Sequence, residues 1–175
     1  KKVFNQPITK LLIVFFFLSL PLASNDDIPI KKALTYLKNL NEFSSSFLQI
    51  QNTDVSEGLI FIKDNRIRIE YLSPSNIIFV LKKNKGMYFN TELQEVQYFN
   101  PQNTAGQFLL DLFNNQNFLL DAKVINENSY FYLLKNIYID DNLNEVEVYF
   151  EKSPFHLKKI RIINNDSVIS FTIIN

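Results

Sequence analysis

Hydrophobic and polar positions alternate in two different rhythms along this chain. Ile30, Ala33, Leu34, Leu37 and Leu40 recur at helical spacing, Lys31, Lys32, Lys38 and Asn39 take the other side, and Pro29 suits a first turn. The spacing predicts one amphipathic helix of about three turns. From Phe43 the period drops to two, which predicts strands over 43–51, 58–63, 66–71, 77–81, 87–90 and 93–99. In 66–71 the alternation is nearly pure, with Ile67, Ile69 and Tyr71 on one side and Arg66, Arg68 and Glu70 on the other. Asp64-Asn65 and the stretch Lys83-Asn84-Lys85-Gly86 read as turns. After Pro101 the rhythm becomes helical again, with Ala105, Phe108, Leu109 and Leu112 on one stripe and Phe113, Phe118, Leu119 and Leu120 extending the apolar surface past an Asn-rich break. This segment predicts one or two small helices that cap something. Alternating runs return over 122–125, 130–134, 145–150, 157–163 and 168–174, and Glu145, Glu147 and Glu151 oppose Val146, Val148 and Phe150 as a wet face opposes an oily one.

Connections this short make neighbouring strands antiparallel, because a parallel return needs a crossover of about a dozen residues. The economical architecture is mainly β with short helices: a single strongly curved antiparallel sheet of about ten or eleven strands, with the helices covering its concave hydrophobic face. No linker-like stretch divides residues 25–175, so they form one domain. Periodicity does not distinguish a packed interior from a cavity.

The N-terminal segment has a different character. Lys1, Lys2 and Lys10 precede the apolar run from Leu11 to Leu22, and Ala23 and Ser24 lead into Asn25-Asp26-Asp27. A basic start, a short apolar stretch and a small-residue exit form the layout of a secretory signal, so residues 1–24 are expected to be removed, the alternative being an uncleaved N-terminal anchor; either way 25–175 are expected outside the inner membrane. No Cys ends that segment to carry a lipid.

Composition narrows the chemistry. The 18 Lys and Arg balance the 18 Asp and Glu, which argues against a nucleic-acid partner bound through phosphate neutralisation. The absence of Cys excludes disulfides, thiol catalysis and cysteine metal sites, and a single His excludes a histidine-built metal centre. Three isolated Gly offer no phosphate-cradling loop. His156 has no partner set for a triad, and Asp26-Asp27 and Asp140-Asp141 are adjacent turn carboxylates whose side chains diverge. Asn165-Asp166-Ser167 has glycosylation spacing but is equally ordinary hairpin-turn chemistry. Neither an enzyme, nor a cofactor, nor a metal site is expected. With 46% hydrophobic and 14% aromatic residues, the chain is built for packing or for binding apolar matter.

The order of parts resembles a known family. Phe43-x3-Phe47-x-Gln49, then Glu57-Gly58 through Lys63, then Arg68-Ile69-Glu70-Tyr71 with Pro74 close behind, look like the opening of the periplasmic outer-membrane lipoprotein carrier family, LolA, in content and spacing. Val80 to Phe99, with Tyr88-Phe89 and Gln94-x-Val96, and the segment 104–112 ahead of further sheet, look similar as well. The resemblance implies an incomplete β-barrel closed by helices. It implies a periplasmic chaperone that holds the acyl chains of lipoproteins as cargo, between an inner-membrane ABC-type release complex and an outer-membrane lipoprotein receptor. In the family an Arg-Pro pair follows the second strand and its Arg helps close the helical lid; here those positions read Asp64-Asn65, leaving Arg66 or Arg68 as latch or docking contact.

A carrier of acyl chains must replace water around hydrocarbon worth ~0.8 kcal/mol per CH₂ group. The expected acyl-chain cavity is lined by Leu37, Phe47, Ile60, Ile62, Ile67, Ile69, Tyr71, Phe79, Phe89, Val148 and Phe150, and the expected lid carries Ala105, Phe108, Leu109, Leu112 and Phe113. For each of these the other reading is ordinary core. Arg66 and Arg68 read equally as a solvated face, and Lys82, Lys83 and Lys85 as a solvated turn or a docking cluster. A monomer is the simplest state. The alternative function is a periplasmic lipid- or lipoprotein-sensing interaction domain with the same fold and no transport; a secreted hydrolase would need a nucleophile and base that the sequence does not offer together.

Overall fold

The computed structural model describes residues 27–40, 42–139, 141–164 and 167–174. The expected signal 1–24, and with it Asp26, Asp140, Asn165 and Asp166, lie outside the described residues. The described chain runs α1 (Asp27–Asn39), β1 (Glu42–Gln51), β2 (Asp54–Lys63), β3 (Arg66–Ser73), β4 (Ile77–Lys82), β5 (Lys85–Asn90), β6 (Glu95–Phe99), α2 (Ala105–Asn114), β7 (Lys123–Asn126), β8 (Tyr130–Ile139), β9 (Asn142–Lys152), β10 (Phe155–Ile163) and β11 (Val168–Ile174). No helix among the described residues is long and apolar enough to cross a membrane.

The eleven strands form one sheet in the order β6-β5-β4-β3-β2-β1-β11-β10-β9-β8-β7. Every neighbouring pair is antiparallel. Two meanders, β1 to β6 and β7 to β11, meet where β1 pairs with β11, with Phe47 opposite Ile173 and Gln51 opposite Ile169. The expected strongly curved sheet, an incomplete β-barrel with a concave face, is corrected here. The sheet is open and not strongly curled, with β6 and β7 as separate edges that do not pair. Tight bending and closure call for repeated bulges and glycine kinks. This chain has three Gly in all and, among the described residues, only two register irregularities, at Glu57/Gly58 and Leu157/Lys159.

One face of the sheet is apolar because successive side chains alternate sides. Ile60, Ile67, Leu133, Val148 and Phe150 on that face are fully buried. Each such residue contributes about 1.5–3 kcal/mol relative to its exposed state. The irregularity in β10 shifts its phase, so that Leu157 and Ile160, three apart, are both buried. The two helices cross this face at one end. Tyr36 of α1 meets Phe150 and Phe155 edge-on at 6.1 and 5.5 Å. Leu37 and Phe113 converge beside Ile62 and the β2–β3 turn. That turn has two residues, Asp64 and Asn65, with φ of 51° and 58°. Consecutive left-handed residues make the primed turn that suits a two-residue hairpin. Proline, whose φ is held near about −65°, does not fit such a position, so an Arg-Pro pair could not take this turn's conformation.

The opposite face differs from the simple wet face expected of β9. Glu147 is buried there, 7% exposed. Arg161 Nη1 donates to its Oε2 at 2.6 Å and Tyr149 Oη donates to the same oxygen at 2.7 Å. Tyr132 stacks on Tyr149 at 4.7 Å, and Lys159 lies 4.3 Å from the Tyr149 ring centre. Arg161 and Tyr149 thus partner a carboxylate that the alternation alone assigns to water, and Tyr132 and Lys159 pack on the Tyr149 ring.

Candidate functional site

Between the apolar face and the start of α2 lies a cavity of about 550 Å³, within the ~300–1,000 Å³ range of small-molecule sites. The register shows how it is assembled. Ile69 stands opposite Phe79 and Ile67 opposite Leu81, so β3 and β4 present one apolar wall. Tyr71, Phe79 and Tyr88 form a chain of edge-on rings at 6.1 and 5.4 Å. Ile160, Ile162, Ile169 and Phe171 of β10 and β11 form the other wall, and Phe171 stacks at 4.2 Å on Phe47 behind it. Burial pushes the Tyr71 phenol up to about 12. The Tyr71 hydroxyl donates to Gln49 Oε1 at 2.6 Å.

The roof is α2. Thr104 caps it, its Oγ1 accepting from the Gly106 amide at 3.1 Å, which satisfies one of the otherwise unpartnered amides of the first turn. Gly106 rests directly on Leu81, where an added Cβ would come within 3.2 Å of a Leu81 methyl. Phe108, Leu110 and Leu112 are buried, so the buried stripe includes Leu110, which the Ala105/Phe108/Leu109/Leu112 spacing passes over.

The structure brings together Ile69, Tyr71, Phe79, Ala105, Phe108 and Leu109 on the cavity surface. It sets Phe47, Ile60, Ile67, Val148, Phe150 and Leu112 in the buried core, none more than 2% exposed and none on the cavity surface. Leu37, Ile62 and Phe113 line a separate cleft of about 280 Å³ between α1, α2 and the β2–β3 turn. Phe89 is on the other face, paired with Ile78 and Val96, while its neighbour Tyr88 faces Phe79. Arg66 and Arg68 also stand on the face opposite α2, paired across the sheet with Lys63, Lys82, Phe61 and Val80. Arg68 bonds to Glu70.

Sequence reasoning passed over Leu81, Phe99, Ile160, Ile162, Ile169 and Phe171 on the cavity surface. Their alternation within β4, β10 and β11 was a usable signal. It also passed over Gln49, Gln51, Asn144, Asn164 and Ser167, which line one part of the cavity. Gln49 and Gln51 share the parity of Phe47, and amides on an apolar face are the cue that finds them. His156 is in β10, with Nδ1 3.0 Å from the Pro154 carbonyl and Nε2 3.6 Å from Glu151 Oε2. Among the described residues no group of three or more Asp, Glu or His converges as a metal site.

The sequence profile of a family described as "Outer membrane lipoprotein carrier protein LolA" matches residues 38–175. No curated protein sequence matches the chain significantly. Among solved structures, an uncharacterised conserved protein from Thermus thermophilus superposes with a TM-score of 0.53 at 10% identity, covering 85% of this chain and 87% of that one. The MucA/MucB complex of Pseudomonas aeruginosa gives 0.47 at 14% identity, with 83% of this chain covered but only 54% of the other. The GerS lipoprotein in complex with the CwlD amidase from Clostridioides difficile gives 0.47 at 15% identity, covering 82% and 88%. At these identities the first likeness concerns the fold alone, and the other two are too distant to bear on function.

Proposed function

The chain belongs to the LolA family, a periplasmic, lipoprotein-associated and non-catalytic group, and on that premise we propose that it is an interaction domain that recognises lipoproteins by taking an acyl chain into the cavity beneath α2. The observation that carries this reading is an apolar cavity of about 550 Å³ roofed by one short helix and lined by Ile, Leu, Phe and Tyr. Recognition of hydrocarbon needs no nucleophile or base, only surface from which water is excluded. The active form is the chain after removal of residues 1–24. Leu109 and Phe79 are the contacts expected to matter most, because both line the cavity and neither is fully buried.

A second reading, carriage of the lipoprotein from an inner-membrane ABC-type release complex to an outer-membrane receptor, is favoured by the family description. Both readings share the binding step and differ in delivery. Mature protein isolated from cells that produce a triacylated lipoprotein is expected to carry it, as a mass increase of one intact lipoprotein in native mass spectrometry. Leu109→Asp and Phe79→Asp, checked for folding by circular dichroism, are expected to lose it. Apo mass alone in the unmodified protein would overturn acyl recognition. Outer-membrane lipoprotein levels that do not change on depletion of the protein would leave recognition standing and remove carriage.

A further inference from the structure

The strand register divides the sheet into two ends of unlike chemistry. At one end are the β2–β3 turn Asp64-Asn65, the β4–β5 turn at Lys83-Asn84, and both helices packed across the apolar face. At the other are the last residues of β1, the first of β9 and the β10–β11 turn. Gln51 pairs with Ile169, Ile163 pairs with both Val168 and Glu145, and Asn144 and Asn164 are the next residues along. The cavity runs between these ends. Beneath α2 it is bounded by Leu81, Phe99 and Phe108; at the far end its surface is Gln49, Gln51, Asn144, Asn164 and Ser167. Gln51 and Asn164 are exposed to solvent, which makes the amide end the mouth.

Two features of this mouth bear on what can sit in it. First, no described residue lining the cavity is Lys, Arg, His, Asp or Glu. An ionised group brought inside would lose water without gaining a counter-charge, which is costly, whereas an ester or amide would find hydrogen-bonding amides. Second, the strand ends at this end of the sheet carry Asp54, Glu57, Glu92, Glu95, Asp141 and Glu145, and the segments 51–57, 72–77, 89–96, 137–146 and 162–170 contain no Lys or Arg. The basic side chains Lys63, Arg66, Lys82, Lys83 and Lys85 gather at the helical end. A field of one sign at the mouth repels anions before they arrive.

We infer that the cavity admits an acyl chain methyl-end first towards α2 and selects chains whose polar end is an uncharged ester or amide linkage, excluding free fatty-acid anions and anionic phospholipids. This rests on the acyl-binding reading above and adds to it a head-group rule: the acyl groups of a lipoprotein pass, and the anionic lipids that outnumber them in a membrane do not.

The test is equilibrium dialysis of the mature protein against monolauroylglycerol and against laurate at pH 8, both kept below their critical micelle concentrations. The neutral ester is expected to bind at least about tenfold more tightly than the carboxylate. Gln51→Lys, at an exposed position, is expected to narrow that ratio by supplying the missing cation, and Gln51→Glu to widen it by weakening laurate more than the ester. Equal binding of the two ligands, a preference for laurate, or a ratio indifferent to Gln51→Lys overturns the head-group rule while acyl binding stands. Failure of the unmodified protein to bind either ligand overturns acyl binding itself.

Discussion

Gly58 shows how one atom can hold a strand pair in place. A Cβ built there would lie 2.0 Å from the Glu70 carbonyl oxygen and 2.9 Å from the Phe47 ring, and the first of these is backbone that cannot rotate aside. Gly58→Ala is therefore expected to lower stability by about 2–3 kcal/mol, read from the urea midpoint, by forcing β2 and β3 apart beside the register shift at Glu57. Tyr71 gives a pH prediction. Its folded-state value, pushed up to about 12 by burial, stands above the unfolded value of about 10. Below pH 10 the phenol is neutral in both states and its contribution is fully present. Between about pH 10 and about pH 12 the unfolded state releases its proton first, so stability falls with rising pH. Tyr149, also pushed up to about 12, adds to the same decline. Thermal melts across that range should show it, with a shallower slope in Tyr71→Phe.

The element most exposed to small changes is α2, a ten-residue helix that is too short to persist without its cap and its apolar contacts. Thr104→Ala is expected to cost about 1 kcal/mol, and hydrogen exchange should speed up in 105–114 ahead of the sheet. The elements themselves were legible in the sequence wherever one period ran unbroken. The run Ile67, Ile69, Tyr71 announced β3 and its inward face, and the helical stripe after Pro101 announced α2. What periodicity could not show was set by contacts distant along the chain. Tyr88, and not Phe89, stands on the helix-bearing face beside Phe79 because pairing with β4 fixes the parity of a strand whose own residues are mixed. Glu147 is buried because Arg161 and Tyr149, from this strand and the next, supply partners that a one-dimensional pattern does not reveal. That Phe47, Ile60 and Val148 are core and not cavity wall likewise depends on where α2 lies, which no local rule states.

At the scale of the whole molecule, the resemblance carried by Phe43 to Phe99 led to the right family, but the sheet's shape did not follow from strand count. Few bulges and few glycines leave eleven strands open, with two unpaired edges. Central and edge strands then differ in their tolerance of change. Ser170 lies in β11 between Ile50 of β1 and Arg161 of β10, so its amide meets a partner strand whichever way it points. Ser170→Pro is expected to cost about 3 kcal/mol or more and to split the single unfolding transition seen by calorimetry, as the two meanders lose their join. The β1–β11 pairing also has a temporal side. Every other strand contact is a hairpin or a near neighbour, formed as soon as its two strands exist, whereas Phe47 must wait for Ile173 before the halves can unite. Contacts of such long range are slow to form and raise the loop-closure cost of the folding nucleus. Until β11 has been made, the meander β1 to β6 has no neighbour across β1, and the two halves of the sheet share no common core.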